Sequence, residues 1–342
     1  MAERSGEKRR FAVLALSRGG CVLGQRLAAS LDADFFACKG RLTEVVNRVW
    51  REYGEIVCIM ATGIVVRTIA PLLQDKYRDP AIVVCDESGR FAVSLLSGHL
   101  GGANDLAHLV AAATGGQAVL TTASDVLGRT PLDLWCRDWD LTPSDKAAFT
   151  KAMGRLVDHG SLTLWSRYLL PDLPPDLHPV AERAAADLVI DSRIEGAARG
   201  ALLHPQALVV GIGCNRGTSA SAIAGAVEKT CLQHHLAPQA IARLASIDLK
   251  QDEAGLLDFA RQQNWTIDFY SKDQLNQVEG IIASAAVQRA TGAKGVAEPA
   301  ALLSAGPGST LLVAKMKWTD VTTAVAEIAD PLAITTLGRT AQ

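Results

Sequence analysis

Over residues 11–120, short apolar runs alternate with Ala- and Leu-rich amphipathic stretches, and glycine clusters mark most of the junctions. Residues 11–16 predict a strand, Ser17-Arg18-Gly19-Gly20 a turn, and the stretch to Leu31 a helix. The pattern recurs with a strand at 56–60, a turn at Ala61-Thr62-Gly63 and a helix over 64–73 that closes near Pro71. Strands at 81–85 and 91–95 flank Asp86-Glu87-Ser88-Gly89-Arg90, a connection rich in hairpin-turn residues. A helix is expected over 103–113, ending at Thr114-Gly115-Gly116, then a strand at 118–120. Strands alternating with helices predict a covered, mainly parallel sheet.

Between the strand at 91–95 and its helix lies Ser97-Gly98-His99-Leu100-Gly101-Gly102, then Ala103-Asn104-Asp105. Three glycines in five residues supply no side chain to a core. They read as a loop whose backbone N–H groups come close to a ligand, with the imidazole of His99 in its midst. Ligands of such sheets bind beyond the carboxyl ends of strands, where both Gly63 and the loop from Ser97 to Gly102 are expected.

The pattern divides the chain into three: an α/β domain over 11–125, a connecting subdomain over 126–206, and a second α/β domain over 207–329. The expected fold class is thus two mainly parallel α/β domains joined by a smaller segment. In the connector, Ser144 or Asp145 caps a helix and no chemical motif is visible. The last domain opens on an apolar run and Gly211-Ile212-Gly213-Cys214-Asn215-Arg216-Gly217-Thr218-Ser219 before a helix to about Cys231. That string fails as a dinucleotide fingerprint, because Arg216 stands where the third glycine is required. The basic N-terminus, with Arg4 and Lys8-Arg9-Arg10, and the tail from Asp330 are expected to be mobile.

Charge narrows the function. The chain's 34 Lys and Arg nearly balance 36 Asp and Glu, without the basic stripe that nucleic acid requires. No membrane span or signal-peptide core is visible, so a cytoplasmic location is expected. The seven cysteines form no C-x-x-C pair, and Cys58 and Cys85 fall in apolar runs as small core residues. No metal-ligand spacing appears, so no resident metal or other cofactor is expected.

Three strings carry a family resemblance: T-G-I-V-V-R-T-I-A-P-L-L-Q-D-K from Thr62, L-L-S-G-H-L-G-G-A-N-D from Leu95, and V-V-G-I-G-C-N-R-G-T-S from Val209. Asp79-Pro80, the T-T-A-S-D string ending at Asp125, Ile247-Asp248-Leu249-Lys250 with Glu253, V-A-E-P-A-A-L from Val296, and Lys315 also fit. With these residues, over about 11–329, the sequence resembles the cobalt-precorrin-5A hydrolase family of anaerobic cobalamin biosynthesis. The resemblance implies a cobalt corrinoid as substrate, its ring-A δ-lactone opened by water and a two-carbon fragment released as acetaldehyde, giving cobalt-precorrin-5B. Cobalt then arrives with the substrate.

That chemistry needs a base for water and fixed donors for an oxyanion. An imidazole near ~6.5 suits the base. His99 is the first candidate, with the N–H groups of Gly98, Gly101 and Gly102 as oxyanion donors; the alternative is a loop histidine that orders the turn or meets a substrate carboxylate. Glu298 is the second candidate, as a base, as an orienter of the base, or as the start of a helix before Pro299. Cys214 reads as a nucleophile or as a small residue in contact with substrate. Arg67, Lys76 and Arg216 are candidate partners for the corrinoid's carboxylates. Lys250, with Glu253, reads as a cleft residue or a surface ion pair. Gly63, Ser97, Asn104, Gly211, Gly213 and Thr218 complete the expected substrate-binding set. Both glycine loops are expected to face one cleft, within a chain or across a homodimer. A non-catalytic carrier of corrinoid intermediates is the competing reading.

Overall fold

The computed structural model describes residues 11–75, 78–170, 172–194 and 199–333. Compactness divides the chain into two units, one up to Leu134 and one from Trp135.

The first unit is built on β1 (Phe11–Ala15), β2 (Asp34–Ala37), β3 (Glu55–Ile59), β4 (Ala81–Cys85), β5 (Phe91–Leu96) and β6 (Gln117–Val119), in the order β2-β1-β3-β4-β5-β6. Strands β1, β3 and β4 are almost wholly apolar because both faces are covered. Alternate residues such as Val13, Val57 and Val83 pack under α1 (Arg18–Leu31) and α4 (Ala103–Thr114). Their neighbours Leu14, Cys58 and Val84 pack under α2 (Leu42–Glu52) and α3 (Thr62–Ile69). Burial pushes the Cys58 thiol up to about 12, as befits an inert core residue. The predicted helix at 64–73 is split: α3 ends at Ile69, and Pro71 sits in a 3-10 turn over Ala70–Leu72. β2 and α2 went unpredicted, although Val45, Val46 and Val49 mark a buried helical face.

All pairings in this sheet are parallel except β4 with β5. That reversal corrects the expected placement of the glycine turns. Gly63 follows the carboxyl end of β3, where Ile59 pairs with Cys85. The loop from Ser97 follows β5, whose Leu96 pairs with Ile82 near the start of β4. Each turn lies at the carboxyl end of its own strand, but the strands run oppositely. The two turns therefore sit at opposite ends of the sheet, separated by roughly 16 Å for five residues of strand.

The second unit contains two sheets, with α6 (Leu132–Asp138) spanning the division between units. One sheet comprises β7 (Thr142–Pro143), β8 (Leu162–Ser166), β9 (Leu177–Pro179), β10 (Leu188–Ile190) and β11 (Ala201–His204), in the order β7-β11-β10-β8-β9. It accompanies α7 (Lys146–His159), capped by Asp145, whose carboxylate accepts the Ala147 N–H at 2.7 Å. The other comprises β12 (Leu208–Cys214), β13 (Ile241–Ile247), β14 (Thr266–Tyr270), β15 (Thr310–Lys317) and β16 (Val321–Glu327), in the order β14-β13-β12-β16-β15. Here β12, β13 and β14 are parallel, and β16 runs antiparallel to both of its neighbours. Helices α8 (Ala220–Gln233), α9 (Ala254–Gln263), α10 (Lys272–Gln277), α11 (Ala285–Thr291) and α12 (Ala297–Ala305) complete the unit. At the C-terminus, Leu332 is buried, so the expected mobile tail does not begin at Asp330; residues 334–342, like 1–10, lie outside the described residues.

Candidate active site

The loop after β5 is shaped by its own contacts. Ser97 adopts a positive φ of 58° and its hydroxyl donates to the Asp79 carbonyl at 3.1 Å, tying the loop to the start of β4. A Cβ on Gly101 would lie 2.3 Å from the Ser97 side chain, and one on Gly98 would lie 2.9 Å from Asn104 Oδ1. Gly102 has φ 92° and starts α4. These glycines are required by close packing and a left-handed turn, so a ligand is not needed to explain them. The Gly102 N–H donates to the His99 carbonyl at 2.9 Å, which removes it from the expected oxyanion donors. Gly98 and Gly101 keep N–H groups with no acceptor among the described residues.

This loop presents His99 to two carboxylates that the sequence did not reveal as its partners. Nε2 lies 2.9 Å from Asp125 Oδ2 and 3.0 Å from Ser124 Oγ, both on α5 (Ala123–Leu127). Nδ1 lies 3.3 Å from Asp133 Oδ1 on α6. The hydrogen bond to Asp133, then that to Asp125, raises the His99 pKa to about 8 against the opposing effect of burial. Asp133 is the more buried of the two, 9% exposed against 32% for Asp125. The expected imidazole near its ordinary value is thus corrected: His99 is mostly an imidazolium at neutral pH.

Asp125 is fixed in turn. The Asn104 amide donates to Oδ2 at 2.9 Å and to Thr122 Oγ1 at 3.2 Å, while the Thr122 hydroxyl donates to the same carboxylate. Burial would raise the Asp125 pKa, but the Thr122 and His99 bonds outweigh it and hold the carboxyl below its usual range. Asn104 therefore orients the acid, and its buried Oδ1 has no partner among the described residues. The T-T-A-S-D string was a usable sequence signal for this partnership; Asp133 carried none.

Gly63 and Arg67 lie at the other end of the sheet and are not brought to His99. The Arg67 guanidinium donates to the Gly63 carbonyl at 3.0 Å within α3. Lys76 lies outside the described residues.

In the second unit the expected loop starts later than predicted, because β12 continues through Cys214. Gly211 is a packing residue, since a Cβ there would lie 1.8 Å from the Ala297 carbonyl oxygen of α12. Gly213 likewise faces Thr322 Oγ1 at 2.6 Å from an added Cβ. Burial pushes the Cys214 thiol up, against a nucleophilic role. The Thr218 hydroxyl is turned inward and donates to the Asn215 carbonyl at 2.8 Å.

Beyond the carboxyl ends of β12 and β13, Arg216, Lys250 and Glu253 converge. Glu253, 4% exposed, accepts from the Gly217 N–H at 2.8 Å and from Lys250 Nζ at 3.2 Å. Lys250 and Glu253 are thus a largely buried pair rather than a surface one. Arg216 donates to Asp252 at 2.6 Å and to the Leu249 carbonyl at 3.1 Å. The Arg216–Asp252 pair is solvated on both sides, so a ligand carboxylate can replace Asp252 at little cost. Glu298 accepts the Lys315 N–H at 3.0 Å beside a register shift in β15, which gives it a structural duty.

Residues 44–125 match the family described as cobalamin synthesis G N-terminal, and residues 208–326 match cobalamin synthesis G C-terminus. A cobalt-precorrin-5A hydrolase from Priestia megaterium is 36% identical over 84% of this chain and 82% of its own length. One from Salmonella typhimurium strain LT2 is 32% identical over 86% and 92%. A crystal structure of a cobalamin biosynthesis protein G homologue from Sulfolobus solfataricus is 19% identical, covers 94% of this chain and 97% of its own, and superposes with a TM-score of 0.39. On the identity and coverage of the two curated relatives, this chain belongs to the cobalt-precorrin-5A hydrolase family.

Proposed function

We propose that this chain hydrolyses cobalt-precorrin-5A, opening the ring-A δ-lactone and releasing acetaldehyde to give cobalt-precorrin-5B. The observation that carries the reading is 36% and 32% identity to hydrolases of that name over 84% and 86% of the chain, with the His99 loop inside the family match at residues 44–125. The cluster around His99 supports it chemically. A histidine held on one nitrogen by Asp133 and on the other by Asp125 and Ser124 is fixed in orientation and able to exchange a proton. In this reading His99 takes a proton as the lactone carbonyl is attacked and returns it to the departing alkoxide. Gly98 and Gly101 N–H groups meet the oxyanion; in the second unit, taken by itself, Arg216 and Lys250 are the residues suited to a carboxylate ligand. Cobalt is carried by the corrinoid, the protein acts without a cofactor of its own, and the site of action is the cytoplasm.

Incubating the purified protein with cobalt-precorrin-5A and trapping acetaldehyde tests the assignment. Turnover is expected from the wild type and a loss of roughly 10³-fold from His99→Ala, with corrinoid affinity retained in a visible-spectrum titration. A protein that binds the corrinoid tightly but releases no acetaldehyde is a carrier, and the proposal fails.

A further inference from the structure

We propose that Ser124 is the nucleophile of this reaction, forming an acyl-enzyme through a Ser124–His99–Asp133 relay. The inference rests on the hydrolase reading above and names the atom that attacks.

Three observations carry it. The Ser124 oxygen is 3.0 Å from His99 Nε2, and the opposite ring nitrogen is 3.3 Å from Asp133 Oδ1, so hydroxyl, imidazole and carboxylate stand in series. That is the arrangement by which a weak hydroxyl nucleophile is activated, and it is recognised by geometry rather than by chain order. Second, Ser124 and Asp133 are each only 9% exposed. A buried carboxylate behind the ring fixes the tautomer and stabilises the imidazolium formed on proton transfer. Third, the Nε2 face is already occupied by Ser124 and Asp125. A water must displace one of them to reach the base, whereas the serine hydroxyl is in place.

Asp125 has its own part. In the resting imidazolium, Nε2–H donates to Asp125 and Nδ1–H to Asp133. Asn104 and Thr122 satisfy Asp125 independently, so it keeps its place when that proton leaves and the Ser124 hydroxyl turns its hydrogen toward Nε2.

The step balances without a further reactant. Ser124 Oγ bonds to the lactone carbonyl carbon as its proton passes to His99. The ring C–O bond then breaks, and His99 returns the proton to the departing oxygen, leaving an ester on Ser124 and a free carbinol. One water adds to that ester, its proton passing through His99 to Ser124 Oγ, and releases the carboxylic acid.

The test is acid quench of the enzyme during turnover of cobalt-precorrin-5A, followed by peptide mass mapping. The Ser124 peptide is expected to carry the mass of the substrate, whole or less acetaldehyde. Ser124→Ala is expected to lose roughly 10³-fold in kcat with unchanged corrinoid affinity. Ser124→Cys, which keeps a nucleophile, is expected to carry the corresponding thioester. Acetaldehyde release without an adduct on residue 124, in both the wild type and Ser124→Cys, overturns the proposal and leaves the hydrolase reading standing. A wild type that releases no acetaldehyde overturns the hydrolase reading and this inference with it.

Discussion

His99 is a histidine whose two ring nitrogens both face carboxylates, and under the role proposed for it its titration bears on both activity and stability. As a proton acceptor it works only when neutral, so kcat is expected to rise as pH climbs through about 8. The groups facing it are Ser124 and Asp125 from α5 and Asp133 from α6, with Asn104 of α4 holding Asp125. Replacing Asp133 by Asn removes the largest contribution to the raised pKa. Its kcat is expected to fall, since the proposed relay loses its carboxylate, and the inflection of the remaining activity against pH to move down toward ~6.5, with the ring protons in NMR moving in step. Stability has the opposite sign. A folded-state pKa above the unfolded value adds stability that is fully present below ~6.5 and lost as pH rises through about 8. At 17% exposure His99 contributes at most about 2 kcal/mol in this way. Urea unfolding midpoints at about pH 6 and about pH 9 should differ accordingly for the wild type, and the difference should shrink in His99→Gln.

Among the elements, glycine separates packing from freedom. Gly211 lets α12 lie directly on β12, and a methyl there would meet the Ala297 carbonyl oxygen at 1.8 Å. Gly211→Ala is expected to cost about 1–3 kcal/mol or more, read as a lowered Tm. Gly154 is exposed in the middle of α7, with nothing within 4 Å of an added Cβ. Gly154→Ala is expected to raise stability by ~0.5–1 kcal/mol, because it narrows the unfolded ensemble and suits a helix. Two like substitutions of opposite sign distinguish a close approach from a merely permissive position.

At the scale of the whole chain, the second unit is stitched from two sheets. Glu327 at the end of β16 accepts from Tyr168 Oη at 2.6 Å and from Ser192 Oγ at 2.8 Å, both from the neighbouring sheet's connections. The Ile194 N–H donates to the His235 carbonyl at 2.8 Å, and the Ala237 N–H to the Ser192 carbonyl at 2.9 Å. Burial, and then the neighbouring carboxylate, push the Tyr168 phenol up, so it stays a donor. Tyr168→Phe leaves Glu327 one donor short and is expected to cost about 1–3 kcal/mol, measured as a loss in urea midpoint. These contacts make the middle segment part of the unit that carries Arg216 and Lys250. The first unit keeps the chain up to Leu134 and with it the buried carboxylate of the His99 cluster.

The sequence alone determined the strand–turn–helix alternation of both α/β regions, the start of α4 at Ala103, a helix cap at Ser144 or Asp145, the His99 loop and the family. These depend on residues a few positions apart, whose side-chain period and turn chemistry act locally. The short strands β8 to β11 escaped because they lack the five-residue apolar runs that marked β1 and β4, and three to five residues carry too little period to stand out. Only the tertiary structure decided which acids meet His99, because helices α5 and α6 deliver Asp125 and Asp133 from well beyond the loop. The placement of Gly63 had a local clue in the hairpin at residues 86–90, but its consequence is spatial: one reversed strand carries the next glycine loop to the far end of the sheet. The same reason demoted Gly211, since whether a glycine faces a ligand or a helix depends on what the fold lays across it.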